Sequence, residues 1–173
     1  MSGRSTALLV AVLAGLVGYL WLGEARPRQR AERASSEAPF LAVTAGSVAR
    51  VELDESGGRL TAVRADGGWR DAAGARWRDG AVESLLDTLG TLGPVTVVAR
   101  DPTDPTEYGL GTGAARLRVT TDDGRSALAL ELGARNPAWT GLYARRAGEH
   151  EVLLVGALLG WELEKLHSAA PGP

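Results

Sequence analysis

The chain has 173 residues, of which 45% are hydrophobic and 23% are charged, which suits one globular domain with an additional segment. It contains no cysteine, and this excludes disulfides, thiolate catalysis and cysteine-based zinc sites. Residues 40–173 hold 14 basic and 18 acidic residues, a formal charge of −4. A domain of that sign is a poor partner for nucleic acid, so we expect no nucleic-acid ligand.

The N-terminal part contains an apolar run over residues 7–23, which reads ALLVAVLAGLVGYLWLG. As a helix it would be about 26 Å long, close to the ~30 Å hydrocarbon core of a bilayer. It predicts a transmembrane signal anchor, with residues 1–6 as its flank. A cleaved signal peptide is the alternative, although its best cleavage site, Gly23-Glu24-Ala25, is weak.

Residues 24–39 are polar, interrupted by proline and without periodicity, so they predict a flexible tether. Arginines flank the apolar run on both sides, and the positive-inside rule therefore leaves the orientation open. We expect a single-pass protein of the inner (cytoplasmic) membrane whose domain, residues 40–173, faces the periplasm or extracytoplasmic side.

The domain begins with a predicted β-hairpin. Strand-like stretches at residues 47–54 and 60–65 flank the turn Glu55-Ser56-Gly57-Gly58. A connector bearing Trp69 leads to an amphipathic helix, for which Asp79 is the expected N-cap and Gly93-Pro94 the end. Its apolar face consists of Val82, Leu85, Leu86, Leu89 and Leu92.

A short strand over residues 95–99 precedes the stretch DPTEYGL, residues 104–110. Tyr108 is predicted to be a core ring and Gly109 to permit a turn, so the stretch is expected to join two parts of the fold. Asp101, Asp104 and Glu107 recur every third residue, which could suggest calcium. Prolines interrupt this segment, and turn-capping carboxylates are the favoured interpretation.

Two further hairpins follow, with strands at residues 115–121 and 126–132 and at residues 142–146 and 151–155. A last amphipathic helix carries Leu158, Leu159, Leu163 and Leu166 on a predicted apolar face. The same element order in residues 47–92 and 115–167 predicts two related ββα-type halves. Antiparallel hairpins or sheets with two packed amphipathic helices constitute an α+β fold.

Motifs for enzyme chemistry are not evident. His150 and His167 lack partners at metal-ligand spacing, and the glycines of GLGTG precede a strand instead of the helix that a dinucleotide loop requires. We therefore expect no enzyme, no cofactor and no metal site. Core packing is the favoured role, and contact anchoring the alternative, for Trp69, Trp77, Trp139 and Trp161.

Several residues together resemble a known family: Trp69, the helix at 82–92, Tyr108-Gly109-Leu110, Leu132-Gly133 and residues 141–145. In this pattern the chain is similar to the bacterial domains of unknown function numbered 4340 (DUF4340), although Gly113 stands where that family tends to have proline. The resemblance implies a single-pass membrane anchor and an extracytoplasmic domain. It also implies an association with ABC-type transporters, since many such proteins are encoded beside auxiliary transporter components, and it supplies no catalytic residues.

These observations favour a non-enzymatic, membrane-anchored accessory module that contacts a protein of the cell envelope. The alternative is an extracytoplasmic ligand-binding or sensing domain with a pocket between its two halves. For either function, the candidate contact or pocket residues are Tyr108, Trp139 and Tyr143.

Overall fold

The computed structural model describes residues 40–78, 80–93 and 95–171. The predicted signal anchor, the tether, the helix cap Asp79 and the helix end Pro94 lie outside the described residues. Within the described part of the chain, neither α-helix is long and apolar enough to cross a membrane.

The described residues form an antiparallel eight-stranded sheet and two α-helices, which confirms the α+β class. The strands are β1 (Val48–Glu55), β2 (Gly58–Ala65), β3 (Gly68–Arg70), β4 (Thr96–Ala99), β5 (Ala115–Thr121), β6 (Ser126–Arg135), β7 (Gly141–Arg146) and β8 (Val152–Gly156). The helices are α1 (Ala81–Thr91) and α2 (Ala157–Ala169).

The alternation of side chains gives the sheet two different faces. In β1, Val51 and Leu53 are buried, and in β5, Leu117 and Val119 are buried, while their sequence neighbours are more exposed. These apolar residues form one core with the buried residues of α1 and α2. We call the face under the helices the inner face and the opposite one the outer face, because successive strand residues point to opposite sides.

The strand order, β3-β2-β1-β5-β6-β7-β8-β4, separates β4 from the strands that precede it in sequence. The chain leaves β3 at one edge, forms α1 in the inner-face core and enters β4 at the opposite edge. Residues 100–114 then return to β5 in the centre of the sheet. The strands of the two predicted halves therefore lie side by side in one sheet, β3-β2-β1 next to β5-β6-β7-β8, and β4, which belongs to neither half, forms the far edge.

Trp69, expected in a connector, lies in the short strand β3, where it pairs with Arg64 of β2. Its side chain is buried, which confirms the prediction of a core tryptophan. The Arg64 guanidinium lies 4.5 Å from the ring centroid. Three residues between two turns are too few to show the alternation that identifies a strand in sequence.

The buried face of α2 differs from the prediction. It consists of Leu159, Glu162, Leu166 and Ala169, while Leu158, expected to be buried, is 50% exposed. Four leucines cover too broad an arc to define one face. Glu162 is tolerated inside because Lys165 Nζ donates to its Oε1 at 2.6 Å, although its Oε2 has no partner among the described residues.

The return segment crosses the outer face of the sheet through a 3₁₀ turn at Pro105–Tyr108. Asp104 caps this turn by accepting a hydrogen bond from Thr106 N at 2.9 Å, which confirms the capping interpretation for that carboxylate. Tyr108 is half-buried on the outer face, so the prediction of a core ring is wrong. Its ring meets Tyr143 edge-to-face, with centroids 5.0 Å apart.

Two glycines allow the return segment to contact β6 with its backbone. Gly109 has a φ of +71°, as predicted, and a Cβ there would lie 2.6 Å from Ala134 N. A Cβ on Gly133 would lie 2.2 Å from the carbonyl oxygen of Tyr108. The contact coincides with a register shift in the β6–β7 pairing between Leu132 and Arg135.

Substitution of Gly109 should therefore be more harmful than substitution of a glycine that only needs positive φ. Gly113 has a φ of +92° and open space around its Cβ position, so Gly113→Ala should cost about 1–2 kcal/mol of unfolding free energy from backbone strain alone. Gly109→Ala should cost a further ~1–3 kcal/mol from overpacking against β6. Denaturant unfolding of the full chain in detergent measures both, and equal losses would contradict the close backbone contact.

Candidate interaction surface

The structure brings together two of the three predicted site residues. Tyr108 and Tyr143 contact each other on the outer face. Trp139 is 71% exposed in the β6–β7 turn, and its ring lies 5.6 Å from the guanidinium of Arg135. The prediction of a core role is therefore wrong for Trp139, whereas Trp77, like Trp69, is buried in the core.

Trp139 is held in an unfavourable backbone conformation, with a φ of +58°. Bulky residues rarely adopt positive φ, and such strain persists only when the surroundings impose it. Here Asn136 does so, because its Oδ1 accepts hydrogen bonds from Thr140 N at 2.9 Å and from Gly141 N at 3.0 Å. Its carbonyl oxygen also accepts from Trp139 N at 2.9 Å. These hydrogen bonds hold the backbone of the turn in one conformation, from which the exposed indole projects.

The turn adjoins the start of α2, where two more large apolar side chains are exposed. Ala157 N donates to Thr140 O at 3.0 Å, and Leu158 and Trp161 follow at 50% and 58% exposure. Residues three apart on a helix are neighbours on its surface. Trp139, Leu158 and Trp161 are three of the four large hydrophobic side chains exposed in the described residues, and we call them the tryptophan patch.

Arg135 connects the two parts of this patch. Its guanidinium lies near the Trp139 ring and forms an ion pair with Glu164, three residues after Trp161 on α2. A Cβ on Gly160 would lie 3.4 Å from Arg135 Nη2, so this arginine runs close to the helix surface. The loop and the helix therefore present one continuous surface.

An open groove of about 810 Å³ lies beside the patch, between the start of α1 and the end of α2. The polar residues in its wall are Arg78, Ser84, Glu164, Lys165 and Ser168, and Trp161 of the patch also lines it. Glu164 is engaged by Arg135, and Lys165 is oriented by the buried Glu162. With Arg78 and Lys165 in its wall, the groove suits a carboxylate next to an apolar group.

His167, near the end of α2, has an acceptor at each ring nitrogen. Nδ1 lies 2.8 Å from Leu163 O, and Nε2 lies 2.7 Å from Glu55 Oε2. Burial lowers the pKa of His167, but the hydrogen bonds to Leu163 and Glu55 outweigh it, so the pKa is raised overall. Only the imidazolium can donate to both acceptors at once.

His150, by contrast, is exposed at a turn, where its nearest carboxylate, Asp101, is 3.9 Å away. Among the described residues, no three histidine, aspartate or glutamate side chains form a group that could hold a metal ion.

Sequence reasoning placed Trp139 among the candidates and missed Leu158. For Trp161 it favoured core packing over contact anchoring, and that prediction is wrong because the side chain is exposed. A signal was available, because apolar residues at 157–159, 161, 163 and 166 are more than one buried helix face requires. The surplus had to face either solvent or a partner.

The comparisons with known proteins identify one family. A family model described as a domain of unknown function, DUF4340, matches residues 69–167. No curated protein and no solved structure matches the chain.

The His167 contacts predict a pH-dependent stability. Since the pKa of His167 is raised on folding, its contribution is complete below the unfolded value of about 6.5 and is lost as the pH rises through the folded value. His167→Gln should therefore lower the stability of the full chain more at about pH 5.5 than at about pH 9. Urea unfolding at both pH values measures this, with His150→Gln as the exposed-histidine control. A loss of the same size at both pH values would contradict the raised pKa.

Proposed function

The chain belongs to the DUF4340 family, and we propose that it is a non-enzymatic, membrane-anchored accessory module whose tryptophan patch binds a protein partner in the cell envelope. The observation that carries the proposal is the exposure of Trp139, Leu158 and Trp161 at one end of α2. Clustered exposed apolar residues mark interaction sites, and tryptophan is enriched among the residues that dominate binding energy.

The mounting of Trp139 supports a binding role. An exposed indole without a function has no need of a strained turn. Here the backbone of Trp139 is strained, and Asn136 holds it in place. Strain of this kind collects at ligand contacts, where it positions a group in advance. A rigid aromatic side chain loses little conformational entropy when it binds.

The groove supports a proposal for the chemistry of the partner. Its wall places Arg78 and Lys165 beside the Trp161 indole, so the partner segment should present an apolar side chain next to a carboxylate. For the partner itself we propose a component of an ABC-type transporter or a related envelope complex. The apolar run at residues 7–23 supports placement in the inner membrane, with the domain on the extracytoplasmic side.

A second candidate function is ligand binding or sensing between the two predicted halves. The groove supports it, since α1 comes from the first half and α2 from the second. Trp161 would line such a site, whereas Tyr108 and Tyr143 lie on the outer face. Ser84→Trp would fill the groove and should abolish the rise in melting temperature that a bound ligand causes. Trp139→Ser should leave that rise intact, and the opposite pattern would exclude this function.

Photo-crosslinking in the native membrane tests the protein-binding proposal. A photoreactive amino acid at position 158, within the patch, should give an adduct with one envelope protein that mass spectrometry identifies. Trp139→Ser in the same chain should abolish that adduct, because the neighbouring indole that would contact the partner is lost. Position 98 is the matched control, since Val98 is also a large exposed hydrophobic residue but lies on the edge strand β4, and it should give no such adduct.

Three results would count against the proposal. Adducts with lipid alone would mean that the patch faces the bilayer. An adduct that persists in the Trp139→Ser chain would mean that the patch does not select the partner. A chain that yields no adduct at position 158 would leave the exposed tryptophans without a partner, and the proposed function would fail.

A further inference from the structure

The outer face of the sheet carries a row of alternating charges that crosses five strands. The pairing register places Arg59 opposite Asp54, Asp54 opposite Arg116, Arg116 opposite Glu131 and Glu131 opposite Arg145. In the adjoining row, Glu52 lies opposite Arg118. We call the four arginines of these rows, together with Arg50 on β1, the arginine face: Arg50, Arg59, Arg116, Arg118 and Arg145.

The carboxylates of this surface lie below its guanidinium groups. The side chains of Glu52 and Glu131 are only 16% and 18% exposed, whereas those of Arg116 and Arg118 are 60% and 54% exposed. Each glutamate serves two arginines, since Glu52 lies within 3.7 Å of Arg50 and Arg118, and Glu131 contacts Arg116 and Arg145. What the face presents to solvent is therefore positive.

Cross-strand pairing alone does not account for this composition. Opposite charges across strands stabilise a sheet by about 0.2–1 kcal/mol per pair, but three carboxylates need only three arginines. The face has five, and the guanidiniums of Arg50, Arg116 and Arg118 make no side-chain hydrogen bond to the described residues. Their side chains are 47%, 60% and 54% exposed, in a domain whose formal charge is −4.

The spacing of the arginines suits an extended polypeptide. Arg116 and Arg118 are two residues apart on one strand, about 6.8 Å, which equals the spacing of alternate residues in an extended chain. The planar guanidinium fork matches a carboxylate in bidentate geometry. Tyr143 lies two residues from Arg145 on the same face, and tyrosine and arginine together are typical of protein interfaces, from which lysine is depleted.

We infer that the arginine face is a second binding surface, independent of the tryptophan patch, for an acidic segment of a protein. The segment would place carboxylates on alternate residues over Arg116 and Arg118, with Arg50, Arg59 and Arg145 around them. This inference does not rest on the proposed function, because the patch belongs to α2 and the turn beside it while the arginine face belongs to the open side of the sheet.

The test uses the full chain in nanodiscs of zwitterionic lipid and a fluorescent peptide of alternating glutamate and threonine as the probe. The double variant Arg116→Gln/Arg118→Gln should weaken probe binding at least about tenfold, because two bidentate contacts are removed. The control Arg100→Gln/Arg125→Gln removes the same charge from two arginines that are 82% and 85% exposed but lie outside the face. It should change the affinity less than about twofold.

A photoreactive group on the probe maps the bound site on the unsubstituted chain, so the test does not depend on the folding of a variant. Labelling of outer-face residues on β1, β5 and β6 is the expected result. The inference is overturned if the control variant loses as much affinity, if the label appears elsewhere, or if the chain fails to bind the probe at low salt. It is also overturned if a glutamine-threonine probe binds equally well, or if the face binds anionic-lipid nanodiscs in place of the peptide.

Discussion

The backbone contact between the return segment and β6 is the constraint on which the rest of the fold depends. The chain must travel from β4, at one edge, to β5, in the centre, and the strand order leaves only the surface of β6 to β8 as the route. Gly109 and Gly133 allow the backbones to approach where any Cβ would collide. The segment thereby links the edge strand β4 to the central strand β5 across the second half. The stretch DPTEYGL therefore has a structural role, as its proline and glycine indicate.

This arrangement separates the two faces of the domain by chemistry. Both helices pack on the inner face. Leu158 and Trp161 are exposed near the start of α2, and Trp139 is exposed in the turn beside it. The outer face stays open over β1 and β5, where paired arginines replace an apolar layer. If both surfaces bind as proposed, their separation leaves room for two partners at once. That capacity suits an accessory component of an envelope assembly.

Local patterns in the sequence predicted most of the elements. The strand at Ala115–Thr121 has the predicted bounds, because its alternation is regular and the turn after it is strongly coded. The helix over 81–91 followed from its leucine spacing. The position of β4 beside β8 could not be predicted in this way, because it depends on contacts between distant residues.

Burial was harder to predict than secondary structure. Tyr108 and Tyr143 were both named as candidates and do contact each other, although on the outer face. Trp139 and Trp161 were expected in the core, since a domain with one phenylalanine has few other large rings. Which side of α2 faces the sheet is set by packing, and the buried Glu162 shows that composition alone does not identify it.

Hydroxyl-radical footprinting of the tryptophan patch tests the central claim most directly. The oxidation rates of Trp139 and Trp161 should be compared between the purified full chain in detergent and the same chain in membranes of the cells that produce it. Exposed Val98 provides the internal reference. If the patch binds an envelope protein, both tryptophans will be protected in the membrane while Val98 reacts equally in the two preparations. Equal reactivity of the tryptophans in both would contradict the account.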